Sequence, residues 1–206
     1  ITLVPPDTLS VTLSPVLQNN TDYTVSVEQI SDIFDNTITA TDTTFTYYEV
    51  SPVSLGDVFL NEFSPNPISG STEYVEIYNP TSESFDLQGW TLSDNRGNKN
   101  VITNSQFVVP PDSFVVIAPD NTLLSDYPDI ALVSMSNFPS LNNSGDDIVL
   151  HDGSGTQLDS LQYTSDWGGS EVALERRATT VSATFQENWG NSPDGFGTPG
   201  NPNLVA

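Results

Sequence analysis

Apolar side chains recur at every second position along most of the chain. In "TLSVTLS" the period sets Leu9, Val11 and Leu13 on one side, in "DYTVSVE" Tyr23, Val25 and Val27, and in "TTFTYYEV" Phe45 and Tyr47. Successive side chains of a strand point to opposite faces, so each stretch predicts a β-strand with one apolar face. Between the last two lies "QISDIFDNTITATD", rich in Asp and Asn residues that hydrogen-bond into their own turns. Three such strands are close to the minimum that stands alone. The segment is therefore expected to need a partner surface, either the rest of the chain or a second copy of itself.

The stretch "SPVSLG" has the Pro, Ser and Gly content of a linker. It divides the chain into an expected first domain over 1–50, a linker over 51–56 and a second domain over 57–206. In the latter, strands are predicted at 57–63, 73–78, 85–87, 90–93, 101–102, 106–109, 114–118, 147–151, 158–163 and 171–175, each bounded by Gly, Pro, Asn or Asp. No sustained 3.6-residue apolar period competes, and "DNTLLSDYP" at 120–128 has room for one helical turn. Many short strands at this spacing imply an all-β sandwich or barrel. Parity places Val75 and Ile77 on one face and Tyr74, Glu76 and Tyr78 on the other, with Trp90 and Leu92 sharing a face as core anchors. The run Phe114, Val115, Val116, Ile117 is apolar on both faces, which suits a central strand covered on both sides.

Charge narrows the partners. The 206 residues carry 27 Asp and Glu against 4 Lys and Arg, a formal net charge of -23. Proteins that grip nucleic acid neutralise phosphates with basic side chains, and here only Arg96, Lys99, Arg176 and Arg177 are on offer. Nucleic acid is excluded as a partner, and anionic membranes and substrates are disfavoured. No apolar run reaches the roughly 18 residues of a membrane span. Ten Phe, seven Tyr and three Trp argue against disorder. With no cysteine, disulfides, thiolate metal ligands and a Cys nucleophile are ruled out. Abundant Thr, Ser and Asn with little Lys suits an extracellular or bacterial cell-surface location.

Little of the remaining chemistry is organised. His151 is the only histidine; a Ser-His-Asp arrangement would have to be built on it, and no Gly-x-Ser-x-Gly elbow accompanies it. Carboxylate pairs are too abundant to single out a glycosidase. Calcium is the one cofactor left open, because three loops cluster oxygen ligands: Asp32, Asp35 and Asn36; Asp94, Asn95 and Asn98; Asp146, Asp147 and Asp152. None has EF-hand spacing, and Asx-turns account for them equally well. Zinc is disfavoured with one His and no Cys. Asn142-Asn143-Ser144 and Asn19-Asn20-Thr21 fit the N-glycosylation pattern, which is common by chance in an Asn-rich chain. No catalytic, cofactor-binding or metal residue is assigned.

An ordered set of motifs in the second domain resembles the bacterial lamin tail domain over about 57–203: "VFLNEFSPNP", "EYVEIYNPTSESFDLQGWTLSD", "VVPPDSFVVIA", "LNNSGDDIVLHDGSGTQLDSLQY", "VALERR", "ENWG" and "GTPGNPN". The resemblance implies an immunoglobulin-like β-sandwich of lamin tail type. It implies that Glu62 and Glu76 take backbone hydrogen bonds at strand ends, and that Arg176 and Arg177 form a structural ion pair or carbonyl clamp. "LQNNTDYTVSVEQISDIFDNTITATDTTFTYYEV" is similar to the C-terminal half of a bacterial Ig-like domain of the S-layer type, although Asp35 stands before Asn36 where that family usually has Gly. These resemblances imply one part of a larger bacterial protein: a non-enzymatic structural or interaction module binding a protein or cell-surface component, with self-association through the half-domain. The alternative is an accessory module binding substrate or cell wall beside a secreted hydrolase. Nuclear members of the lamin family raise nucleic-acid binding as a third reading, which the charge opposes. A gel-shift assay at low salt is expected to show no retardation of duplex DNA; retardation that fades steeply with added salt would overturn the electrostatic argument.

Overall fold

Alternation becomes pairing wherever two strands can share their backbone hydrogen bonds. The computed structural model describes every residue except 1, 5–7, 11–15 and 33, with the backbone alone for 2–4 and 8–10. It separates into two units, Ile1–Glu49 and Val50–Ala206. In the first, β1 (Thr2–Val4) pairs antiparallel with β2 (Thr8–Ser10), and β3 (Thr21–Val27) with β4 (Thr41–Tyr47). Tyr23 lies opposite Phe45, and their rings stack with centroids 5.9 Å apart. The strand expected through Leu9, Val11 and Leu13 is present as β2, while Val11 and Leu13 lie outside the described residues. Among the described residues the two hairpins are separate two-stranded sheets, not the expected three-stranded one.

The second unit is a sandwich. Its strands are β5 (Phe59–Ser64), β6 (Tyr74–Asn79), β7 (Phe85–Asp86), β8 (Thr91–Ser93), β9 (Asn100–Val101), β10 (Val108–Val109), β11 (Ser113–Ala118), β12 (Leu132–Ser134), β13 (Gly145–His151), β14 (Gln157–Thr164), β15 (Leu174–Arg176) and β16 (Trp189–Asn191). One sheet runs β12-β11-β6-β5-β15-β16, the other β14-β13-β8-β9, with β10-β7 as a short ribbon. The pairs are antiparallel except β11 with β12. The fold is all-β, as the alternation predicts. β12 (LVS) and β16 (WGN) escape prediction because neither has apolar residues at alternate positions.

Parity delivers the core. Val75, Ile77, Val115, Ile117 and Phe63 from the six-stranded sheet meet Leu92, Ile148, Leu150, Leu161 and Tyr163 from the four-stranded one, with Trp90 buried among them. Phe63 packs against Tyr163 at 5.0 Å and Trp189 at 5.2 Å between centroids. Each fully buried side chain of this size contributes roughly 1.5–3 kcal/mol. β11 is covered on its other face too, where Val116 and Ala118 join Tyr74, Leu123 and Ala173 beneath Tyr127, Ile130 and Leu132. That second cover comes from the 119–132 connection, whose only helix is one 3-10 turn, Thr122–Ser125. Residues 51–56 lie against the sandwich: Ser51 donates its N–H to Ser84 O at 2.8 Å, and Val53 packs on the core.

Arg176 bolts the two sheets together. Its Nη1 donates to Asp159 Oδ2 on β14 at 2.7 Å and to Leu60 O on β5 at 2.9 Å, and its Nη2 to Val181 O at 2.7 Å. The same Asp159 oxygen accepts the Leu60 N–H at 3.0 Å. This buried arginine is an ion pair and a carbonyl clamp at once. Removing it leaves the Asp159 charge without its cation and takes a donor from the Leu60 carbonyl, so Arg176→Leu is expected to cost about 3–5 kcal/mol in denaturant unfolding. Asp159→Asn, which keeps an acceptor, should cost less; equal stability of Arg176→Leu and the parent chain would refute the bolt.

Candidate functional site

A β-bulge sets the most charged feature of the sandwich. The register of β5 against β6 shifts between Leu60 and Glu62, so Asn61 is the extra residue and Glu62 comes to lie directly opposite Glu76. On its other side Glu62 faces Glu175 of β15. Three carboxylates thus stand side by side across three adjacent strands, each at most 1% exposed. Like charges in that position repel. What makes the row tolerable is the segment 196–205, laid across it with its N–H groups pointing down. Thr198 gives its N–H to both Glu62 oxygens at 3.1 and 3.0 Å and its hydroxyl to Oε2 at 2.9 Å, and the Tyr74 hydroxyl donates to Oε1. Gly200 N–H reaches Glu76 at 2.6 Å and Asn61 Nδ2 donates to it at 2.8 Å. The N–H groups of Leu204 and Val205 both donate to Glu175 Oε2, at 2.7 and 3.1 Å. The expected backbone bonds to Glu62 and Glu76 therefore exist, but their donors come from "GTPGNPN", not from strand ends.

The other sequence candidates are dispersed. His151 ends β13, 8% exposed and opposite Thr91, with no serine, threonine or carboxylate hydrogen-bonded to it among the described residues. Burial lowers its pKa, and the Lys99 charge lowers it further. Asp32 accepts the N–H groups of Phe34 and Asn36, at 2.8 and 3.0 Å, closing an Asx-turn. Asp152 does the same for Ser154 and Thr156. Two of the three loops are drawn together by Asp146, whose Oδ1 accepts Asn95 N–H at 2.9 Å and whose Oδ2 accepts the N–H and side-chain amide of Asn142. Asp147 instead takes Gln162 Nε2 at 2.8 Å. Among the described residues no three His, Asp or Glu side chains are grouped to hold a metal ion.

One open feature of the sandwich is a groove of about 860 Å³ over β6 and β11. Tyr78 and Phe114, opposite one another in register, stack in it with centroids 4.5 Å apart and an interplanar angle of 15°. Residues 129–131 form one wall; 177–180 and 200–203 form others. Residues 51–165 match the family model of the lamin tail domain. The chain belongs to the lamin tail domain family. No curated protein matches it in sequence. The family is one of non-catalytic, immunoglobulin-like modules, and membership supports a structural interaction role. The matched span of the lamin tail domain takes in β5 to β14 and stops short of β15, β16 and the overlying 196–205 segment.

Sequence reasoning singled out Glu62 and Glu76 through the resemblance but missed Glu175 as their neighbour and the segment that covers all three. The available signal was a Gly-rich C-terminal stretch combined with glutamates in the middle of apolar strands. Gly197 shows how close the cover lies: its φ is +101°, and a β-carbon there would collide with the Glu62 carboxylate and the Tyr74 hydroxyl. Gly197→Ala should destabilise the lamin tail domain by roughly 2 kcal/mol or more and expose 196–206 to limited proteolysis; unchanged melting and protection would contradict this packing.

Burial pushes the Glu62 carboxyl up to about 7, against the hydrogen bonds from Tyr74 and Thr198, with the Glu175 charge adding to the rise. Burial and then the Glu62 charge hold Glu76 well above the usual carboxylate range. Near neutral pH Glu62 and Glu76 therefore keep protons that exposed carboxyls have lost. Carboxyls raised in the folded state favour folding below their unfolded pKa near 4.5, and that contribution is lost as pH climbs through about 7. The lamin tail domain is thus expected to melt at lower temperature at pH 8 than at pH 5, by on the order of 10 °C for a loss of about 3 kcal/mol. His151, with its lowered pKa, works in the opposite sense below about pH 6.5, so Glu62→Gln isolates the row by flattening the decline. A midpoint that is flat or rises from pH 5 to 8, unaltered by Glu62→Gln, would refute the assignment.

Proposed function

We propose that the chain is a non-catalytic structural and interaction module of a larger bacterial protein, working outside the cell or on its surface and binding a protein or cell-surface component. One observation carries the reading. The buried ionisable groups with the most chemistry to offer, Glu62, Glu76, Glu175, Arg176 and Asp146, are occupied by N–H groups, amides and carbonyls of the chain itself. A nucleophile needs a base within hydrogen-bond reach, and a general acid needs access to substrate; these groups hold loops instead. The charge of -23 supports a partner that is neutral or basic. The first unit, read as the C-terminal half of an Ig-like domain, keeps Val25, Val27 and Phe45 exposed, which supports self-association through that segment.

A second reading, an accessory module that binds substrate or cell wall beside a secreted hydrolase, is supported by the groove over Tyr78 and Phe114. The gene product's neighbouring domains separate the two. Repeated Ig-like units and a sorting signal favour the spacer; an adjoining catalytic domain favours the accessory role. For the non-catalytic reading the chain is expected to turn over no chromogenic ester, glycoside or phosphodiester. Turnover that His151→Ala abolishes would overturn it.

A further inference from the structure

We propose that the groove over β6 and β11 is a binding site for an uncharged, hydroxyl-rich polysaccharide of pyranose units. The inference rests on the accessory reading above and names the ligand class of that site. Its volume of about 860 Å³ falls in the range of ligand-holding clefts, roughly 300–1,000 Å³. The floor is a pair of partly exposed aromatic rings in the middle of a sheet, 4.5 Å apart and nearly parallel. The Tyr78 hydroxyl is held by Asp112, which fixes the ring before any ligand arrives. Each ring keeps one face free of the other, and an equatorial pyranose presents flat C–H faces that pack on such a surface while its hydroxyls point outward.

The rim supplies what those hydroxyls need. Thr179, Thr180 and Asn201 can each donate and accept, Asp129 accepts, and Arg177 donates. Both signs of charge occur, so the groove is suited neither to a polyanion nor to a polycation, and the field of the whole chain repels anionic glycans. A peptide could add itself as a strand only at a sheet edge. The floor strands offer none: β6 is paired with β5 and β11, and β11 with β6 and β12. The wall at 200–203 is anchored. Gly200 N–H is anchored on Glu76 and Asn203 Nδ2 on Arg176 O at 2.8 Å, so the acid row that holds the C-terminal segment also shapes the groove. A site organised in advance loses less entropy on binding.

Affinity electrophoresis of the intact chain tests this, with gels containing hydroxyethylcellulose, xylan, glucomannan or amylose, and alginate as the anionic control. Retardation by at least one of the neutral polysaccharides and none by alginate is expected. Tyr78→Ala should weaken it about tenfold, the scale of one lost aromatic contact. Because a truncated floor could unsettle the sheet, the exposed rim variants Asp129→Ala and Asn201→Ala are run beside it, with Gln162→Ala on the other sheet as the control expected to change nothing. No retardation by any neutral glycan, retardation indifferent to floor and rim variants, or binding of a lysine-rich peptide in place of glycan would overturn the site. Sedimentation with purified cell walls tells the two proposals apart: co-sedimentation without glycan retardation leaves the accessory reading standing while the groove fails, and failure of both removes both.

Discussion

Three carboxylates shoulder to shoulder under a closed surface are the constraint on which this sandwich is built. Glu76, Glu62 and Glu175 occupy facing positions of β6, β5 and β15, where an unanswered charge costs several kcal/mol. The sheet can close there only if donors arrive from outside it. Residues 196–205 bring backbone N–H groups, the Thr198 hydroxyl and little side-chain bulk, and each hydrogen bond to a charged acceptor contributes roughly 1.5–3 kcal/mol. The segment is accordingly a third layer of the domain. The retained protons complete the balance, since burial favours the neutral form of a carboxyl.

β15 shows how much three residues can carry. Leu174 enters the main core, Glu175 ends the acid row, and Arg176 crosses to Asp159 in the other sheet. Through Asn203, which bonds both Asn61 and the Arg176 carbonyl, the covering segment also touches the bolt. Core, row, bolt and groove wall are therefore one mechanical unit. The acidity that dominates the composition has two parts: a small buried fraction that organises the fold, and a larger exposed one that gives the surface its negative charge.

The sandwich was legible because alternation is a direct imprint of the pleat. Val75, Ile77 and Trp90 are buried as parity requires, and the doubly apolar run of β11 is covered on both faces. Less legible was everything made by irregular backbone. β12 is held by the parallel pairing with β11 and β16 by β15, relations between distant residues that leave no local period. The acid row was hidden for another reason. On a strand, a glutamate alternating with apolar residues reads as the solvent face, and here that face is roofed by a segment 136 positions from Glu62 and 124 from Glu76. Asp146 misled in the same way: its two loops look like separate oxygen clusters, and only the fold shows that one side chain ties them together.

The bond between Thr198 and Glu62 spans 136 residues of chain. Because synthesis proceeds from the N-terminus, β5 and β6 emerge from the ribosome long before their roof exists. Their glutamates stay wet and charged until residues 196–205 have been made. The order of manufacture thus imposes a checkpoint: the sandwich can collapse around Val75 and Ile77 early, but its acid face seals only when residues 196–205 are out.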